Sequence, residues 1–96
     1  MTEHILKLND RYYDAVANGI KTFEIRKNDR DYKVGDTLIL GRVDDDGKYL
    51  TYPDFECAMN LRYEIKVAVT YILTHDEFEG ISEGYVVLGI KILRDD

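Results

Sequence analysis

One cysteine, one proline, one serine and no tryptophan occur in the 96 residues of this chain, and the scarcities exclude several kinds of protein. A single thiol, Cys57, has no partner for an internal disulfide and no Cys-x-x-Cys spacing for a structural zinc, so a reduced, half-buried side chain is expected there. His4 and His75 lie far apart in sequence, without the spacing of a metal pair, and neither a metal nor a cofactor is expected. Ser82 has no nearby histidine in sequence to activate it, and no glycine-rich phosphate loop is present. No apolar run approaches the roughly 20 residues of a spanning helix. The opening Met-Thr-Glu-His lacks the basic and apolar segments of a secretory signal, which predicts a soluble, cytoplasmic protein with no membrane partner.

Acids outnumber bases 19 to 13, a formal net charge of −6, which argues against a general nucleic-acid coat because such binding needs clustered Lys and Arg. The excess is uneven. Residues 1–33 hold seven bases and six acids, whereas the remainder holds six bases and thirteen acids, so a locally basic rim is expected on an acidic body. The length suits one domain, 1–96, with a single core.

Alternation in Glu3–Leu8 predicts a first strand, and Asn9 or Asp10 is placed to cap a helix running to about Asn18, with Gly19 as its left-handed exit. Tyr12 and Tyr13 on that helix are read as packing residues. A second strand is expected from Lys21, with Phe23 and Ile25 toward the core and Thr22, Glu24 and Arg26 on the opposite face. Val34-Gly35-Asp36 turns into a third strand at Thr37–Leu40, and Asp44–Lys48 is a solvated hairpin turn rather than a calcium loop, since the terminal glutamate of such a loop is missing. Pro53 demotes any strand within 49–61 to an edge or a loop. Residues 63–73 form a long strand with Tyr63, Ile65, Val67, Val69, Tyr71 and Leu73 on one face. Residues 74–84 form a polar loop with room for one helical turn, and Tyr85–Leu93 is the last strand, where Gly89 suggests a bulge. The sum is a mainly β fold with one or two short helices: a small closed or nearly closed β-barrel, largely antiparallel, plugged by a helix.

The polar residues of Gly19–Asp36 exceed what such a barrel needs. With Gly19-x-Lys21-x-x-Glu24-x-Arg26 the chain resembles the ASCH superfamily of PUA-like barrels. It is most similar to a small bacterial and phage family of unknown function within that group, through His4, Gly19–Arg30, Val34-Gly35-Asp36 and Gly84–Gly89; residues near 49–62 depart from the pattern. The resemblance implies a cleft between barrel and helix, lined by the signature strand, whose partner is RNA or a modified nucleoside or nucleotide. Read on the residues themselves, Glu24 suits an exocyclic amino group, Arg26 or Arg30 a phosphate or base edge, Lys21 a point charge, Asn28 the rim, and Tyr85 a stacking face. The plain alternative is an exposed ion pair of Glu24 with Lys21 or Arg26.

Some similar ASCH proteins are amidohydrolases acting on N4-acetylcytidine, with a lysine matching Lys21, a threonine where this chain has Glu24, and a glutamate from the second half, for which Glu77, Glu79 and Glu83 are candidates. On that reading Glu24 acts as general base and Lys21 polarises the carbonyl. A third reading is a protein-interaction module that uses the acidic body.

Overall fold

The computed structural model describes residues 1–56 and 58–94, so the expectation for Cys57 lies outside the described residues. Chain order is β1 (Glu3–Asn9), α1 (Asp10–Ala17), β2 (Phe23–Lys27), β3 (Thr37–Val43), β4 (Thr51–Asp54), β5 (Met59–Arg62), β6 (Glu64–Thr74) and β7 (Tyr85–Ile92). Five strands form one curled, half-barrel sheet in the order β1-β3-β6-β7-β2, and β4 pairs with β5 apart from it. The β1–β3 pairing is parallel and the others are antiparallel. β1 and β2 are therefore the two edges of the sheet, and the barrel stays open between them.

Period-two burial builds the core. His4, Leu6 and Leu8 of β1 point inward, opposite Leu38 and Leu40 of β3, and Ile65, Val67, Val69, Val86, Leu88 and Ile90 line β6 and β7. Burying each of the larger side chains contributes about 1.5–3 kcal/mol. The helix closes the concave side through Val16, with Tyr13 and Ala17 packed beside it. Asn9 caps it by accepting from the Arg11 N–H at 3.0 Å. At its other end Gly19 takes φ +73°, and the N–H groups of Ile20 and Lys21 both donate to the Ala15 carbonyl, at 2.9 and 3.0 Å.

Two expectations about which way side chains face are corrected. β2 starts at Phe23 rather than Lys21, and its faces are reversed: Glu24 is 3% exposed, while Phe23 and Ile25 are 44% and 58% exposed. Glu24 turns inward because two cations wait for it there, and Phe23 and Ile25 join an apolar outer face. In β6 the alternation holds to Val69 and then slips. Val69 pairs with Ile90 and Tyr71 with Gly89, so Thr70 is an extra residue, Tyr71 turns outward and Ile72 packs on the core. Gly89 thus marks the bulge, but the additional residue lies on the facing strand; a Cβ on Gly89 would meet Thr70 Oγ1 at 2.9 Å.

The stretch around Pro53 is the β4–β5 hairpin, with Pro53 opposite Asn60 in a two-stranded sheet where every strand is an edge. Tyr63 anchors its base, with ring centroids 4.8 Å from Tyr52 and 6.4 Å from Tyr13. In the 74–84 loop one helical turn closes where the Phe78 N–H donates to the Thr74 carbonyl at 3.1 Å. No helix among the described residues is long and apolar enough to cross a membrane.

Candidate functional site

The gap between the edge strands is a cleft with two chambers, about 410 and 390 Å³, which share Lys7 and Arg26. Lys7, Leu8 and Asn9 of β1, Tyr12 of α1, Lys21 and residues 23–26 line the first. The second is lined by Ile5, Leu6 and Lys7, then by Arg26, Lys27, Asp29, Arg30 and Tyr32, with Tyr49 at its rim. Five bases against two acids give the walls a balance of +3 on a chain of −6.

Glu24 organises the first chamber. Its Oε1 accepts from Lys21 Nζ at 2.7 Å, and its Oε2 from Arg26 Nε and Nη2 at 2.9 and 2.8 Å. Lys21 also donates to the Phe23 carbonyl at 2.7 Å and lies 5.3 and 4.8 Å from the ring centroids of Tyr12 and Phe23. The side chains of Lys21, Arg26 and Glu24 are 18%, 20% and 4% exposed, so this is a largely buried cluster of one carboxylate and two cations, not the solvated surface pair of the plain alternative. Both carboxylate oxygens are engaged within the protein. The cluster as a whole is cationic.

Behind the second chamber lies a further buried pair. His4 Nε2 is 2.9 Å from Asp36 Oδ2, and Asp36 also accepts from the Thr2 and Lys33 N–H groups at 3.1 and 3.0 Å. The hydrogen bond from His4, followed by that from Thr2, holds the Asp36 carboxyl at about 2, below its ordinary 3.8. The His4 ring packs 4.8 Å from the ring of Tyr32, whose phenol burial shifts upward. His4 and Asp36 therefore position Tyr32 and the 28–36 connection as a wall of the second chamber.

Lys21, Glu24 and Arg26 come together, and Arg30 lies in the adjoining chamber. Asn28 and Tyr85 do not join them: they line a separate depression of about 120 Å³ with Thr74, His75, Asp76, Glu83 and Gly84. None of Glu77, Glu79 and Glu83 lines either chamber of the cleft. Among the described residues no group of His, Cys, Asp and Glu is arranged to hold a metal ion.

Lys7, Tyr32 and Tyr49, none of them a residue the sequence singles out, line the cleft, as does Tyr12, expected to be a packing residue. For Lys7 the signal was parity, since it alternates with Leu6 and Leu8 along an edge strand. Tyr12 and Tyr13 divide: Tyr13 packs inward, while Tyr12 is 45% exposed and faces the cleft. Nothing local marked Tyr49, which reaches the rim across Gly41, where a Cβ would stand 2.5 Å from the ring.

Residues 3–90 match a family model described as "Domain of unknown function (DUF3850)". The chain is also similar to the uncharacterized 12.9 kDa protein in the GpA 3′ region of Escherichia phage P2, at 54% identity over 37 residues, which is 38% of this chain and 34% of that protein. It thus spans about a third of the length of that curated relative. Because the family model covers all but the first two and last six residues, the chain belongs to the DUF3850 family of unknown function.

Proposed function

We propose that the open seam between β1 and β2 binds a nucleotide or a short single-stranded RNA element, as in a PUA-like barrel of the ASCH type. The observation that carries this reading is the cluster in which Glu24 holds Lys21 and Arg26 in the wall of a cleft also lined by Lys7, Lys27 and Arg30. Fixed, partly desolvated cations favour phosphate over a diffuse surface charge, because less ordering entropy is lost when the ligand arrives. Tyr12 and Phe23 offer the first chamber flat apolar walls of the kind that suit a base, and the second chamber supplies the bases for phosphate. Asn28 and Tyr85, which line a separate depression, stay outside this binding site.

Hydrolysis of an amide is not part of this reading. Lys21 donates to a carbonyl and a carboxylate at 2.7 Å each, so its Nζ is held by two acceptors of the protein rather than turned free toward a substrate carbonyl. No second-half acid lines the cleft to share the work.

The test is titration of the purified protein with nucleoside monophosphates and with a short fluorescent single-stranded RNA across a salt series. A shallow slope of log affinity against log salt is expected, about −1.5 to −2 for two or three phosphates. Arg30→Ala, which removes a cation outside the Glu24 cluster, is expected to weaken binding about tenfold at unchanged melting temperature. Absence of binding at millimolar ligand, or a slope matching many phosphates, overturns the proposal. Incubation with N4-acetylcytidine is expected to yield no cytidine.

A further inference from the structure

The outer face of the sheet carries side chains that belong under cover. Phe23 and Ile25 of β2 stand beside Gly89 and Val87 of β7, which stand beside Tyr71 and Leu73 of β6, and Tyr85 extends the same face toward the 74–84 loop. Phe23, Ile25, Tyr71 and Tyr85 are 44%, 58%, 62% and 38% exposed, and Phe78 of the loop is 59% exposed. Given what such side chains bury when covered, this is roughly 500 Å² of apolar surface per chain, a patch of the size that often serves a contact. A groove of about 310 Å³ opens within it, between Ile25, Val87 and Tyr85 and the loop residues Gly80–Ser82.

The charges around the patch are polarised along the strands. At the end where β7 begins, the loop displays Asp76, Glu77, Glu79 and Glu83, with Lys27 of β2 beside Tyr85. At the end where it finishes lie Lys66, Lys91 and Arg94, with Glu64 on the same face of β6 as Lys66. All are exposed, so the ends carry −3 and +2 among the described residues. Among the described residues, none of these nine enters an ion pair. A face with an acidic end, an apolar middle and a basic end is complementary to itself when one copy is turned end for end.

We propose that two copies of this chain stack these outer faces antiparallel about a two-fold axis that crosses the strands. β2 then lies over the partner copy's β2, so that each Phe23 caps the opposing Ile25 and its groove, each bare Gly89 receives the opposing Val87, and each acidic loop meets the opposing Lys66 and Lys91. The contact is isologous, as closed dimers require. Burying roughly 500 Å² from each copy, about 1,000 Å² in total, places the contact among weak, transient interfaces, so the dimer forms reversibly. Phe23 and Ile25 also line the first chamber, so the contact borders each seam along β2.

Sedimentation velocity across a concentration series tests this with the full chain. A dimer of twice 11.2 kDa is expected, weakening as salt rises. Tyr71→Glu, at an exposed position outside the cleft, is expected to give a folded monomer by circular dichroism. Two charge-reversed chains, Lys66→Glu/Lys91→Glu and Glu77→Lys/Glu79→Lys, should each be monomeric alone and should dimerise when mixed, because the mixture restores both contacts. A monomer at every concentration overturns the proposal, as does a dimer that survives Tyr71→Glu. Failure of the mixed chains to pair, with the parent dimer intact, overturns the antiparallel arrangement.

Discussion

Replacing Glu24 by glutamine separates what the carboxylate does for the fold from what it does for the cleft. Both oxygens accept, one from Lys21 and the other twice from Arg26, so the amide must turn an NH2 group toward one of these donors. Two cations then stand unneutralised at side-chain exposures of 18% and 20%. Breaking a fully buried pair costs about 3–5 kcal/mol, and the remaining water contact places this case near the lower end, about 3 kcal/mol. For a domain of this size that lowers the melting temperature by roughly 10–20 °C, read by circular dichroism. Affinity for a nucleoside monophosphate should move the other way. Removing a negative charge beside two cations favours the phosphate by about 1 kcal/mol, close to fivefold. A melting temperature within about 3 °C of the parent would mean that the cluster is effectively solvated, like an ordinary surface pair. A loss of affinity in a folded variant would mean that Glu24 contacts the ligand itself. Either result refutes the reasoning.

Asp36 gives a pH signature. Its folded carboxyl titrates at about 2 and its ordinary value is 3.8, so its contribution to stability is complete above 3.8 and is lost as pH falls through that value toward 2. Asp36→Asn should flatten this acid limb in melting temperatures measured from pH 5 downward; an unchanged limb would remove Asp36 as its source. Gly41→Ala places a Cβ 2.5 Å from the Tyr49 ring and should cost about 1–3 kcal/mol in urea unfolding, with Tyr49 displaced from its place 3.9 Å from the Arg62 guanidinium. Full stability in that variant would show that the ring moves aside freely.

Much of the fold was legible in residue patterns. Asn9 as cap, Gly19 at φ +73°, the 44–48 turn and the long sixth strand follow from local chemistry that tertiary packing did not override. The direction of β2 was not legible. In a five-residue strand the polar and apolar sets alternate whichever way it faces, and hydrophobicity alone sends Phe23 and Ile25 inward. The reversal depends on two facts distant in sequence: the strand is an edge beside an open cleft, and its outer face continues into β7 and β6. The same limit hid Thr70 as the bulged residue, because the misfit that produces it belongs to Gly89 on the other strand. For the site, the grouping of Lys21, Glu24 and Arg26 lay within six residues and was readable. The contributions of Lys7, Tyr12 and Tyr49 come from the curl that carries β1 around to face β2; the separation of Tyr85 comes from strand parity, and that of Asn28 from its place just past the end of β2, where its N–H donates to the Gly84 carbonyl.

β2 is fastened to the sheet along one side only, through its five register pairs with β7. Its backbone amides can therefore exchange with solvent through a local peeling motion that leaves the β3–β6 centre intact, at lower free energy than global unfolding. A molecule bridging Lys7 on one lip and Arg26 on the other would act as a clasp across that gap. It would slow deuterium uptake in residues 23–27 selectively, so that occupancy registers as rigidity at one margin of the fold rather than as a change of shape.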